Sequence, residues 1–332
     1  MPRILPIEDY VQGIRAGKRS ILARAITLIE SQRHDDQHHA QKLIQALLPY
    51  RGTSTRIGIS GLPGVGKSTL LDTLGMHLIS KGHRIAVLAV DPSSNMGGGS
   101  ILGDKTRMYR LSHSSEAYIR PSPSGKTLGG VAQKTRESIL LCEAAGYNII
   151  FVETVGVGQS EIAVSNMVDC FLALMLPGGG DELQGIKKGV LERADIIVIN
   201  KADEERMPLA RATLREHRAA LRYLRKRHLC WSPKALTTSA QTGLGIEELW
   251  NTVCLHQQAM HESGAHKKLR QDQQSHWMWD IITQNLQNQF LSHHHVQSNL
   301  SKIEEAVRLG QQSAQAGAHT LLSLFSSPKG SQ

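Results

Sequence analysis

Short apolar runs alternate with longer amphipathic segments through the middle of the chain. Apolar runs of about four to eight residues are typical of strands buried on both faces of a parallel sheet. The amphipathic segments have the spacing of helices that pack one face on such a sheet. The predicted strands are Arg56–Ser60, Arg84–Asp91, Asn148–Val155, Asp169–Leu176, Asp195–Asn200 and Lys234–Ser239, and the predicted helices cover 69–80, 126–145, 183–193, 208–228 and 245–263. This alternation predicts an α/β fold with a doubly wound, mainly parallel sheet.

Both ends of the chain are predicted to be helical. Residues 6–50 carry apolar side chains at helical spacing, and beyond about 265 the composition shifts to Gln, His and Ser, with helices expected near Gln273–Leu291 and Ser298–Gly310. The last residues, 326–332, are expected to be disordered. We therefore expect three parts, which are a helical extension over 1–52, the α/β domain over 53–264 and a C-terminal helical and dimerisation arm over 265–332.

One loop has the spacing of a phosphate-binding loop. The segment 61–68 reads G-x-x-x-x-G-K-S between a predicted strand and a predicted helix. Its glycines allow close approach to phosphates, and the helix N-terminus favours negative charge. We expect Lys67 to reach the β- and γ-phosphates and Ser68 to offer its hydroxyl to Mg²⁺. The predicted nucleotide contacts here are Gly61, Leu62, Pro63, Gly64, Val65, Gly66, Lys67, Ser68 and Thr69.

A second motif indicates which base the nucleotide carries. Asn200-Lys201-Ala202-Asp203 follows a buried strand, and a carboxylate there can accept hydrogen bonds from N1–H and the exocyclic amine of guanine. Adenine lacks both donors, so it leaves the carboxylate unpaired. We expect Asp203 to recognise guanine, Asn200 and Lys201 to brace the loop, and Ser239, Ala240 and Gln241 to support the guanine oxygen. The alternative is a strand-to-helix turn with an Asp cap.

Three carboxylates are candidates for the metal and the catalytic water. Glu153 ends a central strand, as a Walker B carboxylate does, and is expected to hold Mg²⁺ directly or through water. Asp91 ends the second predicted strand, and Asp104 lies in Gly-Asp-Lys-Thr-Arg; which of the two contacts Mg²⁺ directly stays open. Arg107 is a candidate for neutralising phosphate charge. The alternatives are structural, a turn before Pro92 for Asp91 and a helix cap for Asp104.

Two glycine-rich stretches follow strands that end at the predicted site. They are residues 95–103 and 177–188. Such loops order around a γ-phosphate in nucleotide switches and relax after hydrolysis. We expect both to act as switches, and a flexible surface connection is the alternative.

Charge and cysteine usage narrow the partners. The formal charge of +9 suits an anionic ligand, but the basic residues over 211–227 follow one face of a predicted helix, so we expect no nucleic acid partner. Cys142, Cys170, Cys230 and Cys254 show no metal spacing and are expected to be thiols in a reducing cytoplasm. The run His293–His295 has no companion ligand pattern. No apolar stretch approaches about 18 residues, so we expect neither a signal peptide nor a membrane segment.

Together these motifs resemble one family, the methylmalonyl-CoA mutase-associated GTPases of the MeaB/ArgK group, which includes the mitochondrial methylmalonic aciduria type A protein. The resemblance covers roughly residues 10–260 and is carried by 90–94, 98–108, 119–123, 153–160 and 179–189. It implies a homodimeric P-loop GTPase of the signal-recognition and MinD-like class that uses Mg²⁺ and converts GTP to GDP. It also implies a chaperone role toward an adenosylcobalamin-dependent acyl-CoA mutase of the methylmalonyl type, with the 177–188 loop facing the mutase.

The resemblance further implies that Lys67, Ser68, Asp91, Asp104, Glu153 and Asp203 keep their family roles. Adenosylcobalamin would then enter only through the partner enzyme. The first switch departs from the family, because Asn95 and Met96 stand where relatives have proline and threonine.

Three other functions stay open at this point. One is a kinase or ATPase of a periplasmic lysine/arginine/ornithine-binding transport system, a second is a GTPase that inserts nickel into an enzyme, and a third is a nucleotide-gated adaptor that barely hydrolyses GTP. Phosphate on a protein acceptor, stoichiometric nickel binding and single-turnover hydrolysis would distinguish them.

Overall fold

A computed structural model describes residues 4–31, 33–50, 52–90, 107–121, 128–154, 159–178, 188–223 and 226–326. The chain forms two compact units, residues 1–273 and 274–332. Among the described residues, no helix combines the length and apolar character needed to cross a bilayer.

The first unit is built on a seven-stranded parallel sheet. Its strands are β1 (Thr55–Gly61), β2 (Ile85–Val90), β3 (Ala117–Arg120), β4 (Ile149–Thr154), β5 (Cys170–Met175), β6 (Ile196–Ile199) and β7 (Lys234–Thr237). Their order is β3-β2-β4-β1-β5-β6-β7, so β1 lies at the centre between β4 and β5. The predicted α/β class with a parallel P-loop-type sheet is confirmed. The edge strand β3 was not predicted, because its four residues, two of them buried, are too few to form a recognisable apolar run.

Helices cover both faces of the sheet. In the first unit they are α1 (Ile7–Arg15), α2 (Arg19–Glu30), α3 (His34–Leu47), α4 (Lys67–Ser80), α5 (Tyr109–His113), α6 (Leu128–Ala144), α7 (Gln159–Ser165), α8 (Lys188–Leu191), α9 (Met207–Leu221) and α10 (Ile246–Glu262). Buried residues of α1, α2, α3 and α6 share one core cluster with β2 and β4, and those of α4, α5 and α10 share another on the opposite face. The sheet is therefore doubly wound.

The N-terminal helices belong to the main core. Ile14, Ile26 and Leu43 are fully buried in the same cluster as strand residues Ile150 and Val152. The helical prediction for residues 6–50 is borne out by α1, α2 and α3. These helices extend the layer that covers one face of the sheet.

Helix α9 ends earlier than its pattern predicts. The structure places its last residue at Leu221, so the helical prediction to residue 228 is wrong beyond that point. The chain instead brings Arg227 back to the sheet, where its guanidinium lies 3.2 Å from Oδ2 of Asp195. Part of this basic stretch thus forms an ion pair with a buried carboxylate, a contact that its helical spacing does not indicate.

The second unit contains the end of α11 (Ala265–Ser292), α12 (His294–Arg308) and α13 (Ala314–Ser326). Helices were predicted near the first two, although α11 begins earlier than expected. Helix α13 was not predicted. It packs closely on α12, because a Cβ on Gly317 would lie 2.8 Å from the Val307 side chain. The tail predicted to be disordered lies, from residue 327 onward, outside the described residues.

Candidate nucleotide site

The glycine-rich loop joins the central strand β1 to helix α4. Strand β1 ends at Gly61, and α4 begins at Lys67. Gly64 and Gly66 have φ of 80° and 93°, values that side chains with a Cβ rarely adopt. A Cβ on Gly66 would also lie 2.7 Å from the amide nitrogen of Asn200. Glycine is therefore required at this position both for the backbone turn and for the approach of the second motif.

The lysine of the loop is buried inside its curve. Nζ of Lys67 donates to the carbonyl oxygen of Gly61 at 2.7 Å and to that of Leu62 at 3.3 Å. Burial lowers the pKa of Lys67, and the negative charges of Glu153 and Glu161 oppose that shift. The loop thus holds a desolvated cation at the carboxyl end of β1, next to two acidic side chains.

The serine of the loop meets the carboxylate of the neighbouring strand. Ser68 Oγ donates to Glu153 Oε1 at 3.2 Å. Glu153 lies near the end of β4, opposite Ile59 of β1 and Ala89 of β2. A hydroxyl and a carboxylate side by side are oxygen ligands of the kind Mg²⁺ uses together with nucleotide phosphates. These two side chains therefore fit the predicted metal.

Arg107 lies at the edge of this group. Its side chain is exposed, and its charge is close enough to contribute to lowering the pKa of Lys67. Asp91 and Asp104 lie outside the described residues, as do the whole of the 95–103 stretch and most of the 177–188 stretch.

The second motif is tied to the phosphate-binding loop through a buried amide. Nδ2 of Asn200 donates to the carbonyl oxygen of Val65 at 2.8 Å. Its Oδ1 accepts from the Thr238 hydroxyl at 3.1 Å and from the Ala240 N–H at 3.2 Å. Asn200 therefore joins three loops with one side chain. Lys201, which follows it, has a φ of 58°, so the chain turns sharply at the end of β6.

The carboxylate of the motif is held by the loop after β7. The Ser239 hydroxyl donates to Oδ1 of Asp203 and accepts from the Thr242 N–H at 3.1 Å. Asp203 precedes a short 3-10 helix at Glu204–Arg206 but makes no side-chain capping bond to it. The Ser239 hydroxyl thus engages Oδ1 of Asp203 and not Oδ2.

A cleft of about 680 Å³ runs between the two motifs. Its lining includes Gly66 and Thr69 from the phosphate side and Asp203, Ala240 and Gln241 from the other. Residues that are far apart in the chain are thus brought to one surface at the carboxyl ends of the strands, where ligands of open α/β sheets bind.

Two further residues of this region were not among the predictions. Thr238 fixes the orientation of the Asn200 amide, and the buried Glu161 in α7 contributes negative charge near Lys67. Thr238 directly precedes the predicted Ser239 loop, so its position at a strand end was the available signal. Glu161 has no motif of its own.

The comparisons with known proteins agree with this geometry. The family described as "Methylmalonyl Co-A mutase-associated GTPase MeaB" matches residues 22–295. The chain belongs to the MeaB family. It is a GTP-hydrolysing P-loop enzyme, as its relatives are named GTPases. The match extends past residue 260, so the resemblance reaches further than the motifs alone indicated.

Three relatives of this MeaB-family protein are similar to it over most of its length. A putative GTPase of Caulobacter vibrioides is 51% identical over 97% of this chain and 98% of its own. The mitochondrial methylmalonic aciduria type A homolog of Mus musculus is 46% identical over 97% of this chain and 80% of its own. A solved structure of a protein described as a LAO/AO transport system kinase is 35% identical, with a TM-score of 0.79 over 98% of this chain and 100% of its own.

Proposed function

We propose that this MeaB-family GTPase is a nucleotide-driven chaperone of an adenosylcobalamin-dependent acyl-CoA mutase of the methylmalonyl type. In this proposal it gates cofactor loading and protects the mutase, and GTP hydrolysis resets it. The family description names a mutase association, and the mouse relative carries the name of methylmalonic aciduria. Both support a mutase as the partner.

The nucleotide-binding part of the proposal depends mainly on one observation. Asn200 bridges the carbonyl oxygen of Val65 to the loop that holds Asp203 through Ser239. Base and phosphate contacts are thereby held at a fixed separation across the cleft. We assign Asp203 to guanine, and Ser239, Ala240 and Gln241 to its oxygen. Lys201, placed at the sharp turn, covers the base.

The phosphate contacts follow from the glycine-rich loop. Backbone N–H groups of residues 61–69, with the exception of Pro63, surround the phosphates at the N-terminus of α4, where the helix dipole favours negative charge. Lys67 exchanges its two loop carbonyls for the β- and γ-phosphate oxygens. Its low exposure makes that charge effective, since little water screens it.

The metal-binding and catalytic residues surround the same lysine. Ser68 and Glu153 would hold Mg²⁺, with Asp91 or Asp104 as a further ligand or water-positioning group. The ion neutralises charge on the phosphate oxygens when it is bound. Arg107, exposed beside Lys67, neutralises phosphate charge in cis. Catalysis is then mainly positioning and electrostatic stabilisation.

The loops of residues 95–103 and 177–188 complete the proposal as switches, the second one toward the mutase. The protein acts as a homodimer in the cytoplasm, a compartment that suits its four free cysteines.

Three measurements test the proposal. Isothermal titration should show GTP binding at least about 100-fold more tightly than ATP, because the wrong base leaves Asp203 unpaired. Phosphate release from GTP should be slow alone and faster with the mutase, and the mutase should be retained on the immobilised protein with a non-hydrolysable GTP analogue. Equal affinity for the two nucleotides would overturn the base assignment. If the mutase is retained neither with the GTP analogue nor with GDP, the assignment of the mutase as the partner is overturned.

A second candidate is favoured by the solved relative, which is described as a transport system kinase. It predicts that the γ-phosphate appears on a protein acceptor. Recovery of all of it as free phosphate, with and without a periplasmic binding protein, rules out that candidate.

A further inference from the structure

A buried group of side chains that can bind a metal lies at the amino ends of the strands, the end of the sheet opposite the nucleotide site. Cys170 is the first residue of β5, Asp195 directly precedes β6, and His256 lies in α10. All three are at most 1% exposed. One potential ligand atom from each lies within 4.8 Å of the others. The amino ends of two neighbouring strands and one covering helix thus bring a thiol, a carboxylate and an imidazole together.

A second imidazole faces the same carboxylate. Nε2 of His256 lies 3.7 Å from Oδ1 of Asp195, and Nε2 of His228 lies 3.9 Å from that oxygen. Both separations exceed hydrogen-bonding distance. Both nitrogens are buried, and neither has a hydrogen-bond partner in the part of the chain that the structure describes. A buried polar group without a partner is unfavourable, so these nitrogens favour a ligand between them. Donors around a tetrahedral zinc ion lie about 3.4 Å apart, given bonds of about 2.0–2.3 Å.

The surroundings orient these side chains. Oδ2 of Asp195 accepts from the Phe171 N–H at 2.8 Å and from Arg227 at 3.2 Å, which leaves Oδ1 for the imidazoles. The Gln257 amide lies 3.5 Å from Nδ1 of His256, and after a half-turn its oxygen can accept the proton of that nitrogen. Metal-bound histidines almost always have such an outer partner. The indole N–H of Trp231 donates to the Asp195 carbonyl, so the segment that carries His228 is also fixed.

We propose that Cys170, Asp195 and His256 bind one zinc ion. His228, whose Nε2 lies 3.9 Å from Asp195 but outside the group of atoms that lie within 4.8 Å of one another, would turn inward as the fourth ligand. Thiolate and imidazole ligands in a four-coordinate set favour zinc over magnesium or calcium, which take oxygen ligands. The ion would join β5, β6, α10 and the segment after α9. The site serves the fold, because Cys170, Asp195 and His256 are at most 1% exposed and the His228 side chain is 12% exposed. It is separate from the Mg²⁺ ligands, which lie at the carboxyl ends of the strands.

The chemistry of the thiol is consistent with this site. Burial, reinforced by the charge of Asp195, raises the pKa of Cys170 well above its usual range, so the thiol is protonated when no cation is present. A coordinated thiol loses its proton, and metal binding would release it. Successive ligands are at least 25 residues apart in the sequence, so no local spacing motif identifies them.

Cobalt spectroscopy on the full chain tests the site. The protein is treated with a chelator and then titrated with Co²⁺ in the presence of saturating Mg²⁺ and GDP, which occupy the nucleotide site. We expect one equivalent to produce the visible bands of tetrahedral Co²⁺ and a near-ultraviolet thiolate charge-transfer band. Zn²⁺ should abolish both. Cys170→Ser should remove the charge-transfer band and weaken Zn²⁺ binding by more than the roughly 10- to 100-fold typical of losing an outer partner.

Three matched controls separate this site from other ligands. Cys142→Ser removes another fully buried thiol, and His217→Gln another buried imidazole with an unpaired nitrogen. Changing His293–His295 to glutamine removes the histidine run. Each should leave the charge-transfer band in place. A wild-type protein that shows no thiolate band, or a Cys170→Ser protein that keeps it, overturns the proposal. If Cys170→Ser does not fold, His228→Gln decides, because it should weaken Zn²⁺ binding and distort the bands; unchanged spectra and affinity would contradict His228 as a ligand.

Discussion

The amide of Asn200 donates a hydrogen bond to the carbonyl oxygen of Val65 at 2.8 Å. This bond joins a residue at the end of β6 to the middle of the glycine-rich loop after β1, across the intervening strand β5. The same side chain is 1% exposed and accepts two further hydrogen bonds. The shape of the phosphate-binding loop therefore depends on the loop that follows β6.

Asn200→Asp should destabilise the protein and weaken nucleotide binding together. It replaces the donor to Val65 with a carboxylate oxygen, so two acceptors face each other in a buried site. We expect a loss of about 1–3 kcal/mol in the free energy of unfolding, measured by urea denaturation. Asn251→Asp on the exposed face of α10 is the control and should stay within about 0.5 kcal/mol of the wild type. Equal effects of the two changes would contradict the bridging role.

Asp203→Asn should change base preference and leave the fold intact. The Ser239 hydroxyl can still donate to the asparagine oxygen, but the amide presents donors where guanine needs an acceptor. The preference for GTP over ATP should fall by at least about 100-fold, with affinity gained for xanthosine triphosphate, whose C2 oxygen accepts from the amide. Competition binding of the three nucleotides measures this. Glu205→Gln, which neutralises another carboxylate lining the same cleft, should leave selectivity unchanged.

Much of the fold and half of the site could be predicted from local patterns. Strands such as β4 and β5 are continuous apolar runs, because they are buried on both faces. The glycine-rich loop and the Asn200–Asp203 motif each lie within a few residues and directly follow such strands. That both motifs lie at the same end of the sheet follows from its parallel arrangement alone, since the carboxyl ends of parallel strands lie together.

The remaining features depend on contacts between distant residues. Helix α9 ends at Leu221, and Arg227 lies beyond it in an ion pair with Asp195, a contact that no local pattern in a basic stretch indicates. Glu161 comes near Lys67 because α7 packs on β1 and β4. The Cys170 and His256 pairing requires knowing that α10 crosses the amino ends of β5 and β6.

Lys67→Ala should abolish most turnover without unfolding the protein. Among the described residues, the hydrogen bonds of this side chain go to carbonyl oxygens of its own loop, those of Gly61 and Leu62. Loss of one preorganised charge on the transferring phosphate costs about 10²- to 10³-fold in rate. Phosphate release under single-turnover conditions measures it. Lys81→Ala is the control, because it removes a lysine of a surface ion pair just after the same helix, and it should leave the rate unchanged. A Lys67→Ala protein that hydrolyses GTP at the normal rate would contradict the assignment of Lys67 to the phosphates.

Asp169 holds the first turns of α11 against the amino ends of the strands. Its Oδ2 accepts from Arg270 at 2.7 Å and from the Arg56 N–H at 2.8 Å, and Nε2 of His266 lies 3.4 Å from Oδ1. Burial alone would raise the pKa of Asp169, but the His266 hydrogen bond and the charge of Arg270 outweigh it and hold the pKa well below its usual range. The ionised carboxylate is therefore part of what stabilises this junction.

Asp169→Asn should cost about 3 kcal/mol of stability near neutral pH, since it removes the closer of the two carboxylate partners of the partly buried Arg270 and leaves only Glu143 at 3.5 Å. The folded pKa of Asp169 lies below the unfolded value of about 3.9, so the unfolded chain binds more protons as the pH falls past that value. Wild-type stability should therefore decline below about pH 4, and the variant should decline less over the same range. Urea midpoints at a series of pH values measure both effects. Glu247→Gln, which breaks the exposed pair with Lys81, is the control and should cost less than about 1 kcal/mol at any of these pH values. Two results would show that the buried carboxylate has no special role. One is an equal loss of stability in the two variants, and the other is the same decline of stability at low pH in Asp169→Asn and the wild type.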